Sequence, residues 1–464
     1  MLESFAYERR SHASDKDPSG RSPTERDRDR ILYSEEFRRL GGVTQVAPGA
    51  PSMLLHNRLT HSIKVEQVGV ALAKKLNRSS PTGNIVDVDA VAAGCLAHDI
   101  GHAPFGHLGE TTLNELVVCD EHRKNVRPLE TRRSDPCRSH SNRAGTTVCE
   151  LEDGFEGNAQ SFRILTALSE HRSHTRDNQL SVGLNLTRLS IRATSKYPWA
   201  RGDNPSYPNK WGAYDIDVPT LEWLQNDPSQ IKSLEAEIMD WADDIAYAVH
   251  DIEDFYRVGR IPLEDYLDPR GSRIKAFLGY CAASPIGEVS IAAQNAFVGF
   301  ATLAAPRRFE GEAKDYIALD RIRSVLITWF INAAHVVDGS LIVDSKIREL
   351  NSVIKQLTWY HIIHNPELAH IQYGQESIIK NIFNCLKPRI QSAYRTENST
   401  DQLDKRRIPM RLRNYVNTAL QQTSHYTHNE VLIRSLLDYI SSLSDFEAYE
   451  LNARLAGVER FEHL

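Results

Sequence analysis

The sequence lacks the features that would place the protein in a membrane or an oxidising compartment. Its most apolar stretch, residues 324–337, is interrupted by Thr328 and Asn332 and falls short of the roughly 18 residues needed to cross a bilayer. Residues 1–18 lack the apolar core of a signal peptide. Only six cysteines are present and none forms a CxxC pair, so we expect reduced thiols. These absences predict a soluble, cytoplasmic protein.

Several common functional signatures are also absent. No GxxxxGK[ST], GxGxxG or GxSxG motif occurs, so P-loop ATPase, dinucleotide-binding and serine-hydrolase functions have no support. Positive charge is not in excess, because the sequence has 55 Lys and Arg residues and 61 Asp and Glu residues. The resulting net charge of −6 argues against a protein that binds nucleic acid over most of its surface. What remains, with 41% hydrophobic and 25% charged residues, is an ordinary globular chain long enough to bury a large core.

Strand-like alternation is scarce, and helical spacing dominates the chain. In residues 61–76 the apolar positions recur at steps of three and four, and residues 315–386 contain a single proline, Pro366. Two regions break this pattern. Residues 1–30 carry seven basic and seven acidic side chains, and residues 121–144 carry seven basic and three acidic ones. We therefore expect an all-α protein with a polar arm and a basic surface loop.

One short segment concentrates groups suited to chemistry. An apolar run ends in His98 and Asp99, which are costly to bury unless they are paired or bind a metal. An isolated pair of this kind is usually a hydrogen-bonded core histidine, but His102 and His107 follow within nine residues. Glu110 lies one helical turn after His107, close enough to orient its ring. Such a His–carboxylate pair is what general acid–base catalysis requires.

Two other segments carry polar residues at helical spacing. Asp243, Tyr247 and Asp251 are four residues apart and share one helix face, which is either solvated or, given its apolar neighbours, drawn inward. Arg58 and His61 are three apart and share another face. An arginine beside a metal ligand suits a phosphate-bearing substrate.

The pattern His61, His98-Asp99, Asp243 resembles the HD superfamily of metal-dependent phosphohydrolases. The surrounding motifs resemble more specifically its deoxyguanosinetriphosphate triphosphohydrolase branch, and they occur in family order. These motifs are DRDRI at 27–31, FRRL at 37–40, TQV at 44–46, RLTHS at 58–62, PFGH at 104–107, FEGNAQ at 155–160, NLT at 185–187, KYP at 196–198 and ADDIAY at 242–247.

This resemblance implies an all-α fold in which an HD-domain helical phosphohydrolase core has a helical C-terminal extension. It divides the chain into a mobile polar arm over residues 1–26 and a catalytic core over 27–260, with the basic surface loop at 121–144 inside the core. The helical region over 261–464 would complete the site and supply oligomer interfaces, because relatives form tetramers or hexamers.

The resemblance also implies an activity, the hydrolysis of a deoxynucleoside triphosphate (dGTP or another dNTP) to the deoxynucleoside and tripolyphosphate. The metal ligands would be His61, His98, Asp99 and Asp243. This donor set fits Mg, Mn, Fe, Co or Zn. His107 would handle the proton, oriented by Glu110.

Substrate contacts follow from the same resemblance. The residues expected to line the phosphates are Arg58, His102, Asn158, Lys196 and Tyr197. Tyr247 and Asp251 would hold the sugar and its 3′-hydroxyl and so disfavour ribonucleotides, Gln45 would form part of the wall, and Arg434 would reach in from the C-terminal region. Some relatives respond to dNTP or single-stranded DNA effectors, so such an effector is possible here.

Two departures and two alternatives accompany this prediction. The loop at 121–144 is longer than in many relatives, and a C-terminal motif reads Ser-Leu-Ser-Asp at 442–445 where the family has Gly-Met-Thr-Asp. One alternative is an HD phosphohydrolase acting on another nucleotide. The other is a nucleic-acid-binding or regulatory protein with a vestigial site, against which the intact set of ligands argues.

Overall fold

The computed structural model describes residues 4–11, 19–46, 55–135, 137, 149–169, 181–225, 232–304, 308–364, 366–395, 406–422 and 425–458. Within these residues the protein is built from 19 α-helices and one small β-hairpin, so the predicted all-α fold is confirmed. None of these helices combines the length and hydrophobicity needed to span a bilayer.

The helices of the first half are α1 (Pro23–Leu32), α2 (Glu35–Arg39), α3 (Arg58–Ser79), α4 (Val88–Ala97), α5 (His107–Val117), α6 (Asp120–Lys124), α7 (Leu129–Ser134), α8 (Gly157–Arg163), α9 (Arg188–Thr194), α10 (Val218–Leu224) and α11 (Leu234–Arg257). The second half contains α12 (Ser272–Ala283), α13 (Ile291–Ala304), α14 (Ala313–Asn332), β1 (Ala334–Val337), β2 (Ser340–Val343), α15 (Ser345–Thr358), α16 (Pro366–Ala393), α17 (Met410–Gln421), α18 (His428–Ser441) and α19 (Asp445–Leu455).

Helices α3, α4 and α11 pack together at the centre of the molecule. Helix α4 is apolar on all sides, and its residues 90–97 are all buried. Gly69 of α3 allows the close approach of α4, because a Cβ there would lie 2.5 Å from the Sγ of Cys95. A buried helix that ends at Ala97 delivers the next two residues, His98 and Asp99, into the interior.

The C-terminal helices are joined to the core by a buried ionic network. Arg163 of α8 donates from Nε to Oδ2 of Asp438 at 2.8 Å and from Nη1 to Oδ1 of Asp217 at 2.9 Å, and the side chains of all three are at most 2% exposed. The other oxygen of Asp438 accepts a hydrogen bond from Gln160 at 3.1 Å. The network therefore fixes α18 against the segment that carries the FEGNAQ motif.

We expect the Asp438→Ala substitution to destabilise the protein strongly. It leaves the Arg163 guanidinium buried without one of its two carboxylate partners, and breaking a buried ion pair in this way costs about 3–5 kcal/mol. Glu450→Ala is the matched control, because Glu450 pairs with Arg454 on the surface of α19, where such pairs contribute about 0.5 kcal/mol. Thermal unfolding of both variants measures the difference, and equal melting temperatures would contradict the assignment.

The polar arm predicted over residues 1–26 is anchored wherever the structure describes it. Arg9 is 3% exposed, and its guanidinium donates to Asp27 at 2.5 Å and to the carbonyl of Asn185 at 2.5 Å. Helix α1 begins at Pro23, capped by Ser22. The prediction of a mobile arm is thus corrected for the described residues, because alternating charges find buried partners on the core.

The basic loop predicted over residues 121–144 is also more ordered than a surface loop. It contains α7 and most of α6, and Arg132 is 5% exposed because its guanidinium binds Asp215 at 2.5 Å. Part of its basic charge is therefore used inside the protein. Residues 136 and 138–144 lie outside the described residues.

Candidate active site

The four predicted metal ligands converge from three central helices. His61 stands in the first turn of α3, His98 and Asp99 follow α4, and Asp243 lies midway along α11. Nε2 of His61 is 3.1 Å from Oδ1 of Asp243, and Nε2 of His98 is 3.4 Å from Asp99 and 3.6 Å from Asp243. Ligand atoms of His61, His98 and Asp99 all lie within 4.8 Å of one another.

This cluster fits a divalent cation. Nδ1 of His98 lies 2.6 Å from the carbonyl of Cys95, which can only accept, so Nδ1 is a donor and Nε2 is the nitrogen that can bind a metal in place of a proton. That Nε2 is buried without a hydrogen-bond partner. Burial lowers the pKa of His98, but the carboxylates of Asp99 and Asp243 outweigh burial and raise it to about 9. The position therefore favours positive charge, which a metal ion supplies.

A chain of hydrogen bonds leads from this cluster to the surface. One carboxylate oxygen of Asp99 accepts a hydrogen bond from Nη1 of Arg58 at 2.6 Å. The other oxygen lies 2.8 Å from Nε2 of His102, also at hydrogen-bonding distance. Nδ1 of His102 binds Glu110, whose second oxygen is 3.2 Å from Nδ1 of His107. The Glu110 side chain is only 9% exposed, whereas that of His107 is 74% exposed. His107 thus lies at the solvent-exposed end of this series of hydrogen bonds.

Opposite charges stabilise one another along this chain. Burial raises the pKa of Glu110, but the charges of His102 and His107 outweigh it and hold that pKa well below its ordinary value. The pKa of Asp99 is likewise held well below its ordinary value, because His102, His98 and Arg58 together outweigh burial. Burial and Arg58 lower the pKa of His102, yet Glu110 and Asp99 raise it overall.

The structure corrects the role predicted for His102. Its two ring nitrogens are both taken by carboxylates, and the residue is 9% exposed. A histidine held in this way has no nitrogen left for a phosphate. It instead links the metal cluster to the pair formed by Glu110 and His107.

A strained turn between α4 and α5 sets the position of His107. Phe105 and Gly106 have φ values of 64° and 62°, and a Cβ on Gly106 would lie 2.9 Å from Nη2 of Arg58. Asp445 stabilises this turn, because its Oδ1 accepts from the Phe105 amide at 2.7 Å and its Oδ2 accepts from the amide and hydroxyl of Thr44. The divergent Ser-Leu-Ser-Asp motif therefore still ends in an aspartate that brings the C-terminal region to the site.

Gln45, predicted to form part of the site wall, lies near Asp251, which was predicted to hold the sugar. Gln45 and Asp251 line a small cavity with Val46, Leu55, His56, Asp254 and Phe255. Oε1 of Gln45 and Oδ2 of Asp251 are buried without hydrogen-bond partners. Burial, followed by the charge of Asp254, raises the pKa of Asp251 well above its ordinary value, which favours the protonated carboxyl. Tyr247 lies one turn before Asp251 on α11.

Lys196, one of the residues predicted to contact phosphates, lies beside Asp243. Nζ of Lys196 is 2.5 Å from Asp240 and 3.6 Å from Asp243. Burial lowers the pKa of Lys196, but these two carboxylates outweigh it, so the amine stays charged. Asn158 lines the same small cavity as Lys196, and its amide donates to Glu156 at 2.8 Å.

Tyr197 belongs to a cluster of aromatic rings beside Lys196. Its ring centroid is 5.7 Å from that of Trp199 and 5.9 Å from that of Tyr207. Contacts of this kind fix the orientation of a ring. Tyr197 is therefore held in place on the side of the site where Lys196 lies.

The sequence interpretation missed two charged residues at the site. Asp240 holds Lys196, and its position three residues before Asp243 on the same helix face could have indicated this. Lys210 donates to Glu156 at 3.0 Å and its side chain is 42% exposed. It lies in an irregular segment, where no periodic signal marks a residue as facing the site.

Arg434 does not reach the site, which corrects the prediction that it contacts substrate. It is fully buried on α18, where its Nη2 donates to Asp153 at 2.8 Å and to the carbonyl of Gly154 at 2.6 Å. Its guanidinium also stacks 3.4 Å from the centre of the Tyr214 ring. A charge on a buried helix face needs such partners, so Arg434 fixes the loop that precedes Glu156.

Comparison with known proteins agrees with this geometry. The HD domain family matches residues 58–194. A relative from Streptomyces coelicolor is 34% identical over 96% of this chain and 94% of its own, and one from Shewanella pealeana is 28% identical over 94% and 92%. A Corynebacterium glutamicum relative is 30% identical over 79% of this chain and 80% of its own. All three are named deoxyguanosinetriphosphate triphosphohydrolase-like proteins. The resemblance found in the sequence is confirmed, and the chain belongs to the deoxyguanosinetriphosphate triphosphohydrolase-like family of HD-domain phosphohydrolases.

Proposed function

We propose that this protein hydrolyses deoxynucleoside triphosphates to deoxynucleosides and tripolyphosphate. The observation that carries the proposal is the continuous chain of hydrogen bonds from the buried ligand cluster to the exposed imidazole of His107. Such a chain would connect a centre for phosphate activation with a group for proton transfer. The names of the relatives support the same reaction class.

A divalent metal held by His61, His98, Asp99 and Asp243 would supply Lewis-acid polarisation of the α-phosphate. Mg, Mn, Fe, Co and Zn all suit two imidazoles and two carboxylates. Arg58 already neutralises part of the charge on Asp99, and its guanidinium is fixed by the Thr44 carbonyl at 3.1 Å. Arg58 and Lys196 would then help to neutralise the negative charge of a bound triphosphate.

His107 is the residue that we propose to move the proton. Its Nδ1 faces Glu110, so Nε2 is the nitrogen available to the substrate. In the reaction a water oxygen bonds to the α-phosphorus, the bond from that phosphorus to O5′ breaks, and a proton must reach O5′. An imidazole oriented by Glu110 is suited to deliver it.

The phosphate chain would lie along Lys196, Asn158 and Tyr197. Lys196 is charged and close to the metal ligands, while Asn158 and Tyr197 are held in fixed orientations. Lys210 adds a second, more exposed ammonium beside Glu156. These groups favour a polyphosphate over a monophosphate.

The sugar would be recognised by Asp251 and Gln45, with Tyr247 packed against its face. A 3′-hydroxyl both donates and accepts a hydrogen bond, and it would satisfy the two unpartnered oxygens of these side chains. A protonated Asp251 can donate as well as accept. The tyrosine beside the sugar would crowd a 2′-hydroxyl.

We expect Asp251→Asn to retain most of kcat/KM, because the amide keeps one donor and one acceptor in the same shape. Asp251→Ala leaves the 3′-hydroxyl of the substrate and the side chain of Gln45 without a hydrogen-bond partner. This loss should cost about 1–3 kcal/mol, which lowers kcat/KM by about 5- to 150-fold. Steady-state kinetics with a hydrolysed dNTP measures both variants. Equal losses in Asn and Ala would show that the carboxyl does not act as a neutral hydrogen-bonding group.

A product assay tests the proposed reaction. The full-length protein is incubated with each dNTP, singly and mixed, with Mg or Mn, beside an Asp243→Asn control. Deoxynucleoside plus tripolyphosphate supports the proposal, and a difference between single and mixed nucleotides identifies a dNTP effector. Diphosphate or monophosphate products, or no product under any condition, would contradict it.

We further propose that the protein is a homo-oligomer, a tetramer or hexamer, that dNTP or single-stranded DNA modulates. The support is the behaviour of the family that the sequence resembles. Sedimentation with and without nucleotide or oligodeoxynucleotide tests the assembly. A monomer under every condition would contradict it.

A further inference from the structure

Outside the active site, one cluster of side chains has no role in the proposed reaction. Three thiols and one imidazole converge there, those of Cys119, His122, Cys137 and Cys149. The three Sγ atoms and one ring nitrogen all lie within 4.8 Å of one another. All three thiols are free, with no disulfide between them.

The four residues come from separate parts of the segment between α5 and α8. Cys119 is the N-cap residue of α6, and His122 lies one turn later on the same helix side. Cys137 follows α7, and Cys149 precedes the loop that leads to α8. Because the ligands are spread in this way, no CxxC pair marks the site in the sequence.

The imidazole gives an independent sign that a partner belongs here. His122 is 7% exposed, and its Nδ1 is buried with no hydrogen bond. The nearest carboxylate oxygen, Oε1 of Glu152, is 3.7 Å away, beyond hydrogen-bonding distance. An unsatisfied buried polar atom beside three thiols is costly unless a cation binds among them.

The surroundings would balance the charge of a thiolate metal site. Three thiolates with one divalent cation carry a net negative charge. The guanidinium of Arg127 lies nearby, bound to both oxygens of Glu152, and Arg201 donates to the carbonyl of His122 at 3.1 Å. Glu152 in turn accepts from the amide of Cys137 at 3.3 Å.

We propose that Cys119, His122, Cys137 and Cys149 form a second, structural metal centre that binds zinc. Three sulfurs and one imidazole nitrogen are a donor set typical of tetrahedral Zn²⁺. All four positions are filled by protein, so no position is open for catalysis. The ion ties the end of α5, which begins with His107, to the loop that leads to Glu156, and it holds the basic segment against the core.

Metal analysis of full-length proteins tests this centre separately from the active site. The proteins are purified under reducing conditions and dialysed against a chelator. We expect Asp243→Asn, which disables the active-site cluster, to retain about one zinc per chain. Adding Cys137→Ser and Cys149→Ser to it should remove that zinc, whereas adding the matched Cys385→Ser should not.

A spectroscopic measurement keeps the test valid if the double cysteine variant fails to fold. Asp243→Asn reloaded with Co²⁺ should show thiolate-to-cobalt charge-transfer bands and the intense visible bands of a tetrahedral site. A mercurial that blocks thiols should release the zinc of the native protein. The proposal would be overturned if the Asp243→Asn protein contained no zinc, or if zinc were retained after Cys137 and Cys149 had been replaced. A protein mass lower by two hydrogens, which would indicate a disulfide, would also overturn it.

Discussion

Replacing Asp243 with asparagine should abolish turnover together with retention of the active-site metal, while the metal expected at the thiol cluster stays bound. The Oδ1 atom of Asp243 faces both His61 at 3.1 Å and His98 at 3.6 Å, and the substitution removes its charge without changing its shape. Lewis-acid stabilisation by a bound metal is worth several kcal/mol, so we expect the rate to fall by about 10³-fold or more.

The neighbouring Asp244 provides the matched control. It lies on the same helix, but its side chain is 32% exposed and pairs with Lys355 at 2.6 Å. Asp244→Asn should therefore keep wild-type metal content and turnover. Metal analysis and kinetics on both variants decide the matter. Full metal content in Asp243→Asn would show that the ligand has been misassigned, and equal losses in both variants would indicate a general effect on helix α11.

The metal cluster is the part of the site that could be predicted from sequence. His61, His98, Asp99 and Asp243 lie in short motifs with distinctive neighbours, and a buried apolar helix that ends in His-Asp has few ways to satisfy its charges. The helices follow from apolar spacing in the same way. The type of each residue and the spacing of apolar residues are local properties that can be determined directly from the sequence.

Partner choice was harder to predict because it depends on tertiary contacts. His102 has the residue type expected of a phosphate ligand, yet it is held between Asp99 and Glu110. Arg434 carries the right charge, but on a helix whose residues 431–441 are all buried, so it pairs with Asp153. A motif gives the side chain, whereas the fold decides which neighbour satisfies it.

The dependence on tertiary contacts also explains why residues 1–26 were predicted to be a mobile arm and residues 121–144 a surface loop. Arg9 finds Asp27 and Arg132 finds Asp215, each through contacts between residues distant in sequence. A polar composition indicates disorder only when such buried partners are missing. The thiol cluster likewise joins residues 119–149 without a recognisable spacing.

His107→Ala should separate proton transfer from metal binding. The side chain of His107 is 74% exposed and contacts Glu110 and the ring of His102, neither of which is a proposed metal ligand, so the metal should be retained. Loss of a general acid costs about 10²- to 10⁴-fold in rate, and kcat should fall by that amount while KM changes little. Loss of metal in this variant would instead identify His107 as a ligand.

Glu110→Gln tests whether Glu110 acts through His107. The amide keeps the shape but replaces the carboxylate that orients the His107 ring, so we expect a smaller loss of kcat than in His107→Ala. If the two residues act as one unit, the double variant should be no slower than His107→Ala alone. His335→Ala, at an exposed position on β1, is the control and should match wild type. Because Glu110 also binds His102, additive losses would show that its contact with His102, rather than that with His107, carries its contribution to catalysis.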